Sequence, residues 1–548
     1  MRERTEPLTE SYVTGPAVVP GSELTVGDLL RRAAQRSATH PALRTDGFGN
    51  GSRREWTYAQ LLADSEECAR RLLCVFDRGD RVAVWADNRA EWVVLQFGAA
   101  LAGMVLVTLN PGFRSEEARY VLLQSRARGC FSAVDYRGNG LAKMTRDLQG
   151  GLPELQHVFE LDRWQEFMDG ERVGKDLPEV ATSDPVMIQY TSGTTGFPKG
   201  ALLLHGRVTA NAEQVAIRAG LEVNSVWLAP LPLFHAGGCV VAVLGSVARH
   251  ATLVLMSAWS APAALELVET ERVAIINAVP TMLIGMLGHE DVDRRDLSSL
   301  KSVLAGGATV SADIVRRLQE RLSLRVFIIF GQTECGPVAT MTHLGDSPED
   351  KQNTVGTPMP GFEVRIVDPE TGETAPIDTL GEFVARGGTM AGYFENEEAT
   401  QLAFDEEGWL HTGDLCAMDH RGYVRVEGRL RDMIIRGGEN IYPREIEELL
   451  LVEPRIADAA VVGLADDVMG EVVAAFIVPA SPGNFDAGEF AEALRSRLAK
   501  FKVPTHWVAV DELPRTPTGK VQKFVLRAHW ESHSHPGDQS AIIDLRKN

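Results

Sequence analysis

No apolar run in this sequence is long enough to cross a bilayer. The longest, Ala236 to Ala248, stops at Arg249 and His250, short of the roughly 20 residues a spanning helix needs. Positive charge is not in surplus either: 55 Lys and Arg face 75 Asp and Glu, a formal charge of −20. That balance argues against a general nucleic-acid or acidic-membrane surface, so any anion site must gather its own positive groups. Cysteine is scarce. The six, at 68, 74, 130, 239, 335 and 416, form no CxxC pair and have no histidine at metal-ligand spacing, so they read as free thiols of a reducing cytoplasm. The opening MRERTEPLTESYVTG lacks the apolar core of a signal peptide, which adds to the expectation of a cytoplasmic protein with no integral membrane segment. No internal repeat is visible.

What is present is a chain of 548 residues, 44% hydrophobic, enough for two or more domains with substantial cores. Amphipathic helices from Thr25 and Thr57 and a long apolar helix from Ala90 alternate with apolar strands at Arg81 to Trp85, Ala251 to Met256, Ala274 to Ala278 and Arg325 to Phe330. Such alternation predicts parallel sheets faced by helices. From about Asn353 the texture changes to short strands between glycines, as in GFEVRIVDPETGE and GEFVARGGTMAGYF, and predicts a small barrel-like β region. After Gly428 it changes again. A helix with Pro443 in its first turn, strands at Ala459 to Val462 and Val472 to Val478, and a helix opened by Asp486 with Glu489 three places on predict a separate α+β domain.

One stretch fits none of these elements. QYTSGTTGFPKG, Gln189 to Gly200, lies between an apolar strand, Pro185 to Tyr190, and another apolar run, Ala201 to Leu204. Glycine and proline disfavour a helix there, and the GxxxxGK[ST] spacing of a strand-to-helix phosphate loop is absent. What remains is a hairpin loop whose glycines expose backbone N–H groups, whose Thr191, Ser192, Thr194 and Thr195 add hydroxyls, and whose Lys199 adds charge. These are groups that can wrap a polyphosphate.

TSGTTGFPKG resembles the phosphate-binding signature of the adenylate-forming superfamily, which includes acyl-CoA synthetases, nonribosomal-peptide adenylation domains and beetle luciferases. Further motifs of that superfamily follow in order: Gly306-Gly307-Ala308, Phe330-Gly331-Gln332-Thr333-Glu334, GWLHTGD ending at Asp414, Gly428-Arg429-Leu430-Arg431-Asp432, and PRTPTGK ending at Lys520. The likeness spans roughly residues 25 to 525. It implies an α/β protein: a large N-terminal domain of parallel βα sheets with a small β-barrel region, followed by a small mobile α+β C-terminal domain. The expected bounds are 1–429, with the barrel-like part at about 353–428, then 430–548, with a hinge at about 429–432.

The resemblance also implies roles. Thr191, Ser192, Gly193, Thr194, Thr195, Gly196 and Lys199 would hold pyrophosphate. Gly306, Gly307 and Ala308 would pass the adenine, with Phe330, Gly331 and Gln332 beside the nucleotide. Thr333 would contact the α-phosphate, Glu334 with Thr191 would hold Mg²⁺, and Asp414 and Arg429 would take the ribose and phosphate. Lys520 would be the catalytic lysine, bridging the incoming carboxylate and the α-phosphate. Arg431 stands at the hinge, where many relatives carry Asp or Lys.

PLFHAGG, Pro232 to Gly238, resembles the substrate-side motif of acyl-CoA synthetases, and Phe234, His235, Ala236, Gly237, Cys239 and Val279 are the expected acyl pocket. His235 is grouped with the catalytic set as an aromatic gate, since an ionised carboxylate needs no base. It stands where amino-acid-activating relatives carry an Asp, so an ammonium would lack its partner. Arg436, Gly437, Gly438, Glu439 and Arg444 resemble the loop and helix that line the pantetheine tunnel, with Lys500 and Lys502 as further candidates for phosphate contacts. The expected function is an ATP-dependent acyl-CoA ligase using ATP, Mg²⁺, coenzyme A and a small carboxylic acid. The alternatives are an acyl-AMP ligase loading a separate carrier protein, or a homologue specialised for one half-reaction through Arg431. A homodimer is compatible with all three.

Overall fold

The computed structural model describes residues 7–47, 53–170, 176–191, 198–307, 310, 312–437, 439–466, 468–481, 485–495, 497–516 and 519–533, with side chains through 530. The chain divides into two compact units. One comprises Tyr12–Val364 and Val384–His411, the other Met1–Ser11, Arg365–Phe383 and Thr412–Asn548.

The larger unit is built on two mainly parallel sheets. The first has nine strands, in the order Thr357–Pro358, Thr340–Met341, Arg325–Phe330, Ser302–Ala305, Ile275–Ala278, Val226–Ala229, Thr252–Leu255, Pro41–Thr45, Glu55–Thr57. The second has seven, in the order Gly392–Tyr393, Lys199–Leu204, Pro185–Thr191, Val105–Leu109, Arg81–Trp85, Gly129–Ser132, His157–Glu160. The parallel strands Val105–Leu109, Thr252–Leu255 and Ser302–Ala305 are buried along their whole length, which is why their sequences, VLVTL, TLVL and SVLA, are mostly apolar on both faces rather than alternating. Helices cover the sheets, and they begin where the sequence supplies a cap. Thr25 accepts the Asp28 N–H, and Thr57 and Gln60 form a reciprocal box at the head of Tyr58–Val75, satisfying N–H groups that a helix start leaves orphaned. Trp85, Trp92, Trp227, Phe97 and Phe327 are fully buried between these layers.

A five-stranded sheet takes Tyr12–Thr14, Glu363–Val367, Gly381–Arg386, Leu410–Met418 and Val424–Arg429 in that order. In the smaller unit, the long antiparallel pair Ile456–Asp466 and Gly470–Pro479 shows the two-residue period of a strand covered on both faces. Val461, Val473, Ala475 and Ile477 pack with Ile446, Leu450, Phe490 and Trp507, while Val462, Leu464, Ala474 and Phe476 face Val508 and Leu526. The helix expected after Asp486 runs Ala487–Arg495, with the Glu489 N–H on Asp486 Oδ1 at 3.0 Å.

Several histidines of the larger unit are held neutral by their surroundings. His205 heads the helix His205–Arg218, accepts the Val26 N–H on Nδ1 at 3.0 Å, and is lowered to about 4 by burial. Burial also lowers His40, His250 and His343, helped by neighbouring arginines. A folded-state pKa below the unfolded value means the unfolded chain binds protons first as pH falls. The stabilising effect of neutral His205 is therefore complete above about pH 6.5 and is lost progressively toward pH 4, at most on the order of 3 kcal/mol. We expect the thermal midpoint to fall between pH 7.5 and pH 5 and to fall less in His205→Asn; an identical pH slope in the two proteins would exclude His205 as a contributor.

Candidate functional site

The hairpin that carries the glycine- and threonine-rich loop is formed as its flanks predict. Pro185–Thr191 and Lys199–Leu204 pair antiparallel, and Thr191↔Lys199 is the last described pair before the loop. Ser192, Gly193, Thr194, Thr195 and Gly196 lie outside the described residues. At the loop's base Gly200 is required by space, since a Cβ there would approach Ile188 Cγ2 at 2.8 Å.

The second cluster follows the strand Arg325–Phe330. Two glycines fold the chain sharply: Gly331 has φ +155°, with space for a Cβ only 2.4 Å from the Pro337 carbonyl oxygen, and Gly336 at φ +69° ends the one-turn helix Thr333–Cys335 against the Gly388 carbonyl. The turn buries Thr333 and Glu334, the latter 5% exposed. A buried carboxylate has to be hydrogen-bonded, and Glu334 is: Oε1 accepts from Thr191 Oγ1 at 2.7 Å and from the Tyr393 hydroxyl at 3.0 Å. Its main-chain oxygen accepts the Met390 N–H at 2.7 Å. Burial, and then the Glu334 charge, push the Tyr393 phenol well above its ordinary pKa, so it stays a donor. Lys199 Nζ lies 5.2 Å from the centre of the Tyr393 ring, within cation–π range.

Tyr393 was not foreseen in the sequence. It is aligned by a two-residue strand, Gly392↔Leu202 and Tyr393↔Ala201, a register that no local pattern announces. The helix that follows the hairpin adds three more unforeseen residues. Arg207 donates to the Thr389 and Met390 carbonyls at 2.6 and 3.1 Å, and Asn211 exchanges two hydrogen bonds with Val338. Arg218 takes the carbonyls of Met341, Thr357 and Pro358 at 3.0 to 3.1 Å. The signal was available in outline: polar residues four and seven apart on a helix otherwise rich in alanine and valine.

Gly306 and Gly307 end the strand Ser302–Ala305. A Cβ at 306 would lie 2.6 Å from the Ile329 carbonyl oxygen, and Gly307 has φ +78°, so both positions need glycine. Ala308 lies outside the described residues. Phe330 and Gln332 are half-buried at the far end of the next strand, Phe330 opposite Thr340.

The PLFHAGG segment is held by buried side chains from three other elements and one loop. Asn88 donates to the Leu231 and Met256 carbonyls and accepts the Leu233 N–H at 2.8 Å; Thr108 donates to the Phe234 carbonyl at 2.9 Å. Asn277 donates to the Gly237 carbonyl at 2.8 Å while accepting from Trp227 Nε1, and Gln96 donates to the Cys239 carbonyl at 2.9 Å. Thr108, Asn277 and Gln96 are each at most 3% exposed. Phe234 and His235 are half-buried, their rings edge to face at 6.2 Å, and Ala236 is buried where a wide-turned helix, Gly237–Leu244, begins. Cys239 is fully buried against Gln189 and Met187, and burial pushes its thiol up to about 12. Val279, 5% exposed, caps the helix Pro280–Gly288 beside Gly307.

In the smaller unit Asp414 and Arg429 are cross-strand partners, Arg429 Nε to Asp414 Oδ1 at 2.9 Å, with Asp414 5% exposed. Arg431 lies exposed on the turn Leu430–Asp432. Arg436 donates to the Phe501 carbonyl at 2.7 Å, and Gly437, at φ +61°, donates its N–H to Met469. Glu439 is exposed and Gly438 lies outside the described residues. Arg444 is engaged by Glu448 and the Val426 carbonyl, and Lys502 by Glu445 at 2.7 Å. Lys520 is exposed on a closed turn: its carbonyl accepts the Thr516 N–H at 2.8 Å, its own N–H reaches Thr516 Oγ1 at 3.1 Å, and Gly519 supplies φ +83°.

Among the described residues no group of three or more His, Cys, Asp or Glu side chains could hold a metal. Glu334 and Thr191 offer hard oxygens, and among the described residues both donors to Glu334 reach Oε1 rather than Oε2. That donor set fits a Mg²⁺ ion bound mostly through nucleotide phosphates and one carboxylate, not a resident protein-caged ion.

Two family models match the chain in order: "AMP-binding enzyme" over residues 30–394 and "AMP-binding enzyme C-terminal domain" over 445–520. The chain is 35% identical to a putative acyl-CoA synthetase, YngI, of Bacillus subtilis over 86% of this chain and 91% of that protein. It is 34% identical to the mitochondrial medium-chain acyl-CoA ligase ACSF2 of Danio rerio, over 96% and 91%. Among solved structures it is similar to ATP-bound MatB from Rhodopseudomonas palustris, with a TM-score of 0.84, 27% identity and coverage of 93% and 99%. It is also similar to the o-succinylbenzoate CoA synthetase MenE of Bacillus subtilis with its acyl-adenylate intermediate, with a TM-score of 0.80, 29% identity and coverage of 91% and 97%.

Removing a buried amide from the PLFHAGG segment leaves a main-chain carbonyl unpaired. We expect Asn277→Ala to speed hydrogen exchange of residues 231–240 by about an order of magnitude while the Glu334 turn keeps its protection; unchanged exchange at 231–240 would show that Asn277 does not hold the segment.

Proposed function

The chain belongs to the AMP-binding enzyme family, and from that premise we infer its reaction: it is an ATP-dependent acid–thiol ligase that joins a carboxylic acid to AMP with release of pyrophosphate, then passes the acyl group to the thiol of coenzyme A. The observation that carries the site reading is the 2.7 Å hydrogen bond between Thr191 and Glu334, which joins two family motifs 143 residues apart in the chain.

The chemistry explains what each residue is asked to do. A carboxylate must approach an already anionic triphosphate, so positive charge and aligned donors are needed where charge builds at the α-phosphate. Lys520, carried in the smaller unit, bridges the acid's oxygen and the α-phosphate. Lys199 and the hydroxyl and N–H donors of the 191–196 loop take the leaving pyrophosphate. Asp414, positioned by Arg429, accepts from the ribose hydroxyls. When bound, Mg²⁺ neutralises phosphate charge, with Glu334 and Thr191 as its protein ligands. Transfer to coenzyme A then needs the small domain, 430–548, to turn about a hinge at 429–432, with Arg436, Gly437 and neighbouring residues at the thiol's path. Arg444 and Lys502 already have carboxylate partners, which supports Arg436 and Lys500 as the better candidates for phosphate contacts. The reaction belongs in the cytoplasm, where the six free thiols stay reduced.

We further propose a medium-chain monocarboxylic acid as substrate. The segments 231–239 and 275–282 contain no lysine or arginine, so a second carboxylate would be buried without a partner, and His235 removes the usual partner of an ammonium. The ACSF2 relatives of Danio rerio and Bos taurus, matched over 96% and 95% of the chain, are medium-chain ligases by name.

The test is to incubate the pure protein with ATP, Mg²⁺, coenzyme A and acids from butanoate to palmitate, with malonate, benzoate and phenylalanine, and to weigh the products. AMP with acyl-CoA, at the highest kcat/KM near octanoate, is expected. Acyl-AMP without thioester would favour a carrier-protein acceptor, and preference for malonate or benzoate would overturn the substrate class. Lys520→Ala should lose about 10²-fold or more in acyl-adenylate formation yet still convert supplied octanoyl-AMP to octanoyl-CoA; equal loss in both steps would remove Lys520 from its role.

A further inference from the structure

Glu334 is a buried carboxyl group of the larger unit, held by residues distant in the chain. Its carboxylate is fixed by two hydroxyls from elsewhere in the chain, and both donate to one oxygen. One donor, Thr191, belongs to the phosphate-loop hairpin. The other, Tyr393, lies in a two-residue edge strand and also places its ring under Lys199. Tyr393 therefore touches both the loop's lysine and the carboxylate. Its strand is held in turn, because Ala391 and Phe394 donate to the Leu202 and Gly200 carbonyls at 2.9 and 2.8 Å and the Tyr393 N–H reaches Thr400 Oγ1 at 2.9 Å. Arg207 fixes the adjoining Thr389 and Met390 carbonyls.

A glutamate side chain has three rotatable bonds, and a ligand loses affinity when that freedom must be removed on binding. With Oε1 taken by two hydroxyls, the plane of the group is set before any cation arrives, and Oε2 takes no hydrogen bond from the described residues. Thr191 alone could not set it, because Thr191 is itself proposed as a ligand of the same ion.

We propose that Tyr393 is a positioning residue for the nucleotide-bound cation: its hydroxyl orients Glu334 toward the metal, and its ring keeps Lys199 over the same edge, coupling the pyrophosphate loop to the metal carboxylate. This rests on the reading of Glu334 as the Mg²⁺ ligand.

Tyr393→Phe separates the two contacts, since it keeps the ring and the strand pairing and removes the hydroxyl. The measurement is equilibrium binding, without turnover: Mn²⁺ is titrated by electron paramagnetic resonance into the full-length protein holding α,β-methylene-ATP, and binding of the same analogue is measured in EDTA. In Tyr393→Phe, Mn²⁺ should bind about tenfold more weakly, the analogue in EDTA should be unaffected, and thermal unfolding should show a folded protein. On a Glu334→Gln background Tyr393→Phe should add nothing, because the two residues act as one unit. Thr191→Val, the other hydroxyl on Oε1, provides a second variant should Tyr393→Phe fold poorly, and should also weaken Mn²⁺ in preference to the analogue in EDTA. Unchanged Mn²⁺ affinity in Tyr393→Phe, equal weakening with and without metal, or additive losses with Glu334→Gln would each overturn the proposal. Failure of the ligase reading itself would show separately, as no acyl-CoA from the unmodified protein.

Discussion

A carboxylate buried to 5% exposure is the constraint on which the larger unit's site depends. Buried without partners, a carboxylate is costly. Two distant segments meet Glu334: the hairpin at Thr191, and the edge strand at Tyr393 with Met390 just before it, whose N–H closes on the Glu334 main-chain carbonyl. Each segment has its own requirement. The turn needs glycine at 331 and 336, the hairpin needs Gly200, and the edge strand is pinned from behind by Arg207. Weakening any of these loosens the same carboxylate.

A second kind of rigidity serves the PLFHAGG segment. Apolar packing alone would let a loop slide, whereas buried amides and hydroxyls on its carbonyls fix its height and direction. Asn88 on a loop, Gln96 on the helix Ala90–Leu101, and Thr108 and Asn277 on two strands hold the segment from several sides. The two arrangements differ in what they fix: one holds a buried carboxylate, the other the main chain of an apolar segment. The whole molecule is acidic, at −20, so any group that attracts an anion acts against the background field.

Much of this was legible in the sequence. The strands at Arg81–Trp85 and Arg325–Phe330 coincide with their apolar runs, and Thr25 and Thr57 mark helix starts because side-chain caps are local chemistry. The hairpin around the glycine-rich loop was legible from its apolar flanks and the missing Walker spacing. Tyr393 was not, because its role comes from a cross-strand register to Ala201 and from a partner 59 residues away. Arg207, Asn211 and Arg218 were hidden for a related reason: their partners are main-chain carbonyls, which every sequence has and none advertises. Cys239 was assigned to the acyl pocket by its neighbourhood in the chain, and its sulfur is packed on Gln189 and Met187, since a helix that begins at Gly237 rotates successive side chains to different faces.

The central claim is that these residues serve an attack by the acid's own oxygen on the α-phosphate of ATP. Octanoate labelled with ¹⁸O in its carboxylate, turned over with ATP and coenzyme A, tests it directly. The account predicts one labelled oxygen in the AMP and none in the pyrophosphate; label appearing in inorganic phosphate, or AMP free of label alongside octanoyl-CoA, would contradict it.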